Sequence, residues 1–186
     1  ISQGLLTINQ IVDNASKKSI PSVALTDKSN MFGLVKFFDK CELAGIKPIS
    51  GCSLNVIFDG DDDSNELLCL AKTNNGHKNL MKIISSAHNN YSYSSPIIQF
   101  KDLTELNNDI VVISGGKNSH IFEYLRRNNI SDAENKIDQF TKYFKDDFVL
   151  EIQKTNREDE LEFIKNILPK RLFYRALLIV AIPVIF

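Results

Sequence analysis

The sequence predicts an α/β fold, a mainly parallel sheet or barrel flanked by helices. Three observations carry that expectation. Short apolar runs of β type alternate with runs whose apolar residues recur three and four positions apart. The connections between them are compact, which is the rhythm of βα units. At 186 residues, 43% hydrophobic and 24% charged, the chain has room for one ordinary globular domain with a real core, and two would be crowded.

Taken in order, Thr7 is placed to cap a helix running to about Lys18, with Ile8, Ile11, Val12 and Ala15 on one face. Pro21 ends the linker that follows, and SVALT, residues 22–26, reads as a short buried strand. From Met31 to Ala44, Leu34, Val35, Phe38, Cys41 and Leu43 form a helical stripe that stops at Gly45. IKPI, residues 46–49, and CSLNVIF, residues 52–58, read as two short strands around Gly51. The acidic tract DGDDDSN, residues 59–65, is a turn whose like charges belong in water. As a calcium loop it lacks the glycine and the distal Glu that EF-hand geometry needs. ELLCLAK, residues 66–72, is another buried strand, and Asn74 or Asn75 opens a helix carrying Leu80, Ile83, Ile84 and Ala87. Residues 89–109 read mostly as loop. DIVVISGG, residues 109–116, is a β-type run ended by two glycines, and helices cover residues 119–127 and 132–145. FVLEIQ, residues 148–153, is a strand, and REDELEFIKNIL, residues 157–168, is an amphipathic helix with acidic residues in its first turn.

The formal net charge of -1 gives no overall cationic field, so any role near nucleic acid must come from a local patch or from a larger assembly. Cys41, Cys52 and Cys69 sit singly in apolar runs without metal or redox spacing, and read as reduced core thiols of a cytoplasmic protein. His77 and His88 face the same way on one helix but about three turns apart, beyond the reach of one metal ion; His120 stands alone. No P-loop and no G-x-S-x-G elbow is present. SGGKNS, residues 114–119, could offer backbone N–H groups and Lys117 to a phosphate, or be a tight strand-to-helix turn. No signal peptide is visible, and ALLIVAIPVIF, residues 176–186, is about half the length of a membrane-spanning helix. Asp27 is the most suggestive single residue: it follows an apolar strand and precedes a helix, where α/β enzymes often keep their chemistry. The same position equally suits an Asp that caps the following turn.

Longer phrases carry a family signal. IPSVALTDKSNMFGLVKFFDKCELAGIKPISGCSLNV, residues 20–56, resembles the amino-terminal PHP domain of bacterial DNA polymerase III alpha subunits, the C-family replicative polymerases. LLCLAKTNNGHKNLMKIISSA, VVISGG and VLEIQKTNREDE resemble further family phrases in the right order, so the likeness extends to about residue 162. The resemblance implies a PHP-type distorted (βα)7 barrel over residues 1–186. It would be incomplete at both ends, with the first strand lying before Ile1 and residues 163–186 atypical. It further implies that metal-competent relatives hold an ion cluster at the carboxyl ends of the strands and can hydrolyse a phosphodiester.

Against that pattern the ligand positions are mostly replaced. Gln3 stands for Asp, Lys28 for His, Ser53 for Glu, Glu66 for a strand His and Thr155 for His. Asp27 is the only retained candidate ligand, so no catalytic, cofactor or metal site is expected in these residues. Lys28 adds repulsion where a cation would sit, and a salt bridge from it to Asp27 or Glu66 is expected in the metal's place. The resemblance thus implies a segment of a DNA-directed DNA polymerase, inactive by itself, whose parent would use Mg in a palm domain outside these residues. Its implied partners are the rest of the alpha subunit, the proofreading exonuclease (epsilon) subunit, and DNA through the holoenzyme, with no membrane. The alternative is a metal-dependent PHP phosphoesterase or 3'-5' exonuclease. A barrel without its first strand would expose an edge and a core face and is expected to aggregate.

Overall fold

The computed structural model describes residues 6–59, 63–89, 96–116 and 119–151, together with the backbone of residues 176–177. The first helix, α1 (Ile8–Lys17), begins at a reciprocal capping box. The Thr7 hydroxyl accepts the Gln10 N–H at 3.3 Å, and the Gln10 side chain accepts the Thr7 N–H at 2.8 Å. Strand β1 (Ser22–Leu25) is joined through α2 (Leu34–Leu43) to β2 (Lys47–Ile57), which runs parallel to it from Ser22↔Lys47 to Leu25↔Ser50. Val12, Ala15, Leu25, Leu34, Phe37, Cys41 and Ile46 close a small core between these elements.

Two expectations fail here for identifiable reasons. The α2 stripe is rotated: Leu34, Phe37 and Cys41 are buried, whereas Val35 and Leu43 are 76% and 84% exposed. Apolar residues lie all round this helix, so spacing alone could not choose the inward face. The two short strands expected around Gly51 are one eleven-residue strand. Gly51 is carried through it because a Cβ would meet Leu70 Cδ2 at 2.6 Å and Thr26 Cγ2 at 2.8 Å, so the glycine marks close approach rather than a turn.

Strand β3 (Ser64–Ala71) folds back antiparallel on β2 from Ile57↔Ser64 to Gly51↔Leu70, so the two strands pair as a hairpin. Helix α3 (Asn74–Asn89) follows, and then β4 (Ile98–Gln99), parallel to the end of β2, and α4 (Phe100–Glu105). Both of these fall in the stretch expected to be loop. They are too short for a periodicity to show, and are fixed by burial of Ile98, Phe100 and Leu103. Strand β5 (Ile110–Ile113) pairs antiparallel with β3, and after α5 (His120–Arg126) and α6 (Ile130–Phe144) come β6 (Phe148–Glu151), parallel to β5, and β7 (Ala176–Leu177), parallel to β6.

The sheet is therefore mixed, in the order β1-β2-β3-β5-β6-β7 with β4 on β2. Among the described residues the sheet has seven strands, one of them β4 in the stretch expected to be loop. The departure from a mainly parallel sheet comes from β3 alone, which is antiparallel to both neighbours. Among the described residues no pairing joins β1 to β7, so the sheet stays open. The larger core lies between the sheet and helices α3 to α6. At its centre Phe140 stacks on Phe148 at 4.7 Å and meets Phe58 and Phe100 edge-on at 5.4 and 5.6 Å. The predicted helix 157–168 and the segment from Leu178 to Phe186 lie outside the described residues.

Candidate functional site at the strand ends

Beyond β1 the chain stays extended and continues the ladder with β2. Ser53 N–H donates to Asp27 O at 3.1 Å, and Ser29 N–H donates to Ser53 O at 2.8 Å, so Lys28 lies opposite Ser53. In β2 the residues alternate: Cys52, Leu54 and Val56 join the large core, while Ser53 and Asn55 lie on the other face. Register places Asn55 opposite Glu66 of β3, which brings Lys28, Ser53 and Glu66 together. Lys28 Nζ stands 3.8 Å from Glu66 Oε2, with the two side chains 40% and 30% exposed. The buried Ser53 hydroxyl donates to Glu66 Oε1 at 2.5 Å. Of the two partners open to Lys28, the structure selects Glu66.

Asp27 is exposed, and its carboxylate accepts no hydrogen bond and joins no ion pair among the described residues. It does not cap the following turn. Asn30 does: its Nδ2 donates to Lys28 O at 3.0 Å, and its Oδ1 accepts the Phe32 N–H at 3.1 Å. Sequence reasoning passed over Asn30, although an Asn two residues after the Asp-Lys pair is a recognisable turn signal. The turn is fixed further by Ser29, whose backbone adopts φ 54°. The Ser29 carbonyl lies 2.8 Å from His88 Nε2, and because a carbonyl only accepts, that nitrogen carries the proton. Cys52 Sγ donates to Asp27 O at 3.2 Å.

Among the described residues this point offers a divalent ion few free donors. Of its two carboxylates, Glu66 is engaged by Lys28 and Ser53, and the nearby ammonium repels a second cation. Burial pushes the Cys52 thiol up to about 12. Among the described residues no three His, Cys, Asp or Glu side chains come together as a metal-binding group. Gln3 and Thr155, also singled out in the sequence, lie outside the described residues.

The histidines serve other ends. His77 Nδ1 meets Ser50 Oγ at 2.8 Å, and His88 meets Ser29, so the two hold separate points of the β1–β2 region three turns apart along α3. At His120 it is the backbone N–H that donates, to Asn65 Oδ1 at 2.6 Å. SGGKNS is a strand-to-helix turn where it is described. Ser119 caps α5 by accepting the Phe122 N–H at 3.2 Å, and Ser114 Oγ accepts the Glu151 N–H at 2.9 Å. Lys117 lies outside the described residues.

The PHP domain family model matches residues 1–155. The chain belongs to the PHP domain family. Among proteins similar to this PHP domain is the DNA polymerase III subunit alpha of Escherichia coli strain K12, 35% identical over 163 residues, which cover 87% of this chain and 14% of that one. The DNA polymerase III subunit alpha of Borreliella burgdorferi is 33% identical over 84% of this chain and 14% of its own length. The PHP domain thus spans about one seventh of the curated relatives it matches. A solved amidohydrolase from Chromobacterium violaceum aligns with 47% of this chain and 30% of its own, at 22% identity and a TM-score of 0.38. Among the described residues no helix is long and apolar enough to cross a membrane.

Proposed function

We propose that residues 1–186 are the PHP domain of a bacterial DNA polymerase III alpha subunit, and that this domain supports the polymerase without metal chemistry of its own. The observation that carries the reading is the Lys28–Glu66–Ser53 cluster, in which an internal ammonium neutralises the carboxylate that a divalent ion would otherwise use. The similarity to polymerase subunits over 87% of the chain supports the parentage. The parent protein would be a DNA-directed DNA polymerase of chromosome replication in the cytoplasm. Its Mg ions and its contact with DNA would belong to other parts of the molecule, and this domain would buttress them and dock the proofreading epsilon exonuclease subunit.

The test is metal analysis of the purified full-length protein. After dialysis against manganese or zinc, the reading expects no stoichiometric metal retained by the PHP domain and no cleavage of nucleic-acid ends by it. Tight uptake together with such cleavage would overturn it in favour of a phosphoesterase or exonuclease.

A further inference from the structure

The turn pinned beside the Lys28 cluster does more than fill a strand end. Phe32, at its tip, is 89% exposed. That exposure is not the accident of a loose loop: Asn30 brackets the turn from Lys28 O to the Phe32 N–H, Cys52 Sγ approaches Asn30 O at 3.6 Å, and His88 holds Ser29. Phe32 and Met31 form one wall of a hollow of about 410 Å³, and Met81, Ile84, Ser85 and His88 of α3 form the other. The chain has two methionines, and both line this hollow. Thioether side chains adapt to an incoming apolar group better than branched ones do.

Along α3 the hollow continues, through Met81, Ser85 and Asn89, into a second one bordered by Lys78 and Lys82. Among the described residues no carboxylate lines either hollow, and α3 carries no acidic residue along its whole length. Lys78 and Lys82 lie one turn apart, and neither forms an ion pair among the described residues, so they repel each other with no counter-charge. A fixed aromatic anchor, an adaptable apolar groove and an uncompensated pair of cations are what an acidic amphipathic polypeptide segment would complement. A nucleic-acid strand would also welcome an aromatic face, but it calls for a basic track along its backbone, and the chain's net charge of -1 offers no wider field to support two lysines.

We infer that the groove between the Phe32 turn and α3 is a docking site for an acidic amphipathic segment of a partner polypeptide, with an apolar side chain seated against Phe32, Met31 and Met81 and carboxylates meeting Lys78 and Lys82. This deepens the supporting role proposed above by naming its contact face. The test replaces Phe32 with the photoreactive p-benzoylphenylalanine in the full-length protein, in the cells that make it, and reads the cross-linked peptide by mass spectrometry. The expected product is a peptide in which apolar residues alternate with Asp or Glu at helical spacing. Its yield should fall about tenfold in a Lys78→Glu/Lys82→Glu background, the effect of about 1.4 kcal/mol. All three positions are exposed, so the melting temperature of each variant should stay at that of the parent. Cross-links to nucleic acid, to a second copy of the same groove, to a segment without acidic residues, or to nothing would each overturn the assignment. Those results together with no metal uptake would leave the supporting role standing, whereas manganese uptake with nucleic-acid cleavage would remove that role and leave the groove untouched.

Discussion

Gly115→Ala tests how the strand ends are held together. Gly115 has φ +79° and follows β5, and a Cβ there would overlap the carbonyl oxygen of Glu66, whose side chain holds Lys28 and Ser53. Gly45, at the end of α2, has φ +68° but nothing within 4 Å of its absent Cβ. The two substitutions therefore share a backbone cost and differ in a steric one. A left-handed alanine costs roughly 1–2 kcal/mol, which is the whole of the expected loss for Gly45→Ala. Forcing a methyl into a packed backbone adds about 1–3 kcal/mol, so Gly115→Ala should lose about 2–5 kcal/mol, a large share of the roughly 5–15 kcal/mol that holds a domain folded. Urea denaturation of both variants and the parent measures the difference, with the slope expected to stay constant. Because the push falls on the Glu66 backbone, Gly115→Ala should also shift the backbone amide resonances of Glu66 and Ser53, and Gly45→Ala should not. Equal losses for the two variants, or unmoved resonances in Gly115→Ala, would refute the close approach.

Three further outcomes follow from the same packing. The Cys52 thiol is raised by burial to about 12 from an ordinary value of 9.0, so above pH 9 the unfolded chain gives up a proton that the folded one keeps. Cys52 should therefore remove up to about 1.4 kcal/mol of stability per pH unit between pH 9 and 12; burial raises the Cys41 and Cys69 thiols too, so Cys52→Ala should lessen the slope by about that amount without removing it in denaturation curves taken across the range. Phe140→Ala removes the ring at the centre of the aromatic core, where Phe140 is 2% exposed, and should cost about 3–5 kcal/mol by the same assay. Lys28→Ala should cost no more than about 1 kcal/mol, because its ion pair is long and half in water. Ser53→Ala, which removes a hydrogen bond to a carboxylate, should cost about 1.5–3 kcal/mol, and a reversed order would show that the ammonium rather than the hydroxyl holds Glu66.

The elements that were legible are those whose local signals agree. Thr7 reads as a cap and α1 starts there, with Gln10 completing a reciprocal box in the structure. Ser119 caps α5 after a glycine pair, and β3 and β5 read as unbroken apolar runs because both faces of each are covered in part. The antiparallel turn between β2 and β3 was present in the acidic tract, but a βα rhythm elsewhere concealed that two strands could be joined with no helix between them. The inward face of α2 could not be read, since it depends on the positions of Val12, Leu25 and Ile46, which come from three other elements.

The site shows the same division between local and distant information. That Asp27 is followed by a cation was visible in two letters. Which carboxylate answers Lys28 was not visible, because adjacent residues in an extended chain send their side chains to opposite faces. Asp27 and Lys28 are neighbours in sequence and so are turned apart, while Glu66 reaches the ammonium only because three registers agree: Lys28 with Ser53, Ser53 with Leu68, and Asn55 with Glu66. A one-residue slip of the β2–β3 hairpin would send Glu66 to the core face, beside Cys52 and Leu54, and turn Leu67 out of it. Burying a carboxylate there without a partner would cost several kcal/mol, so the hydrophobic alternation of the hairpin, rather than any attraction between the charges, fixes the pair.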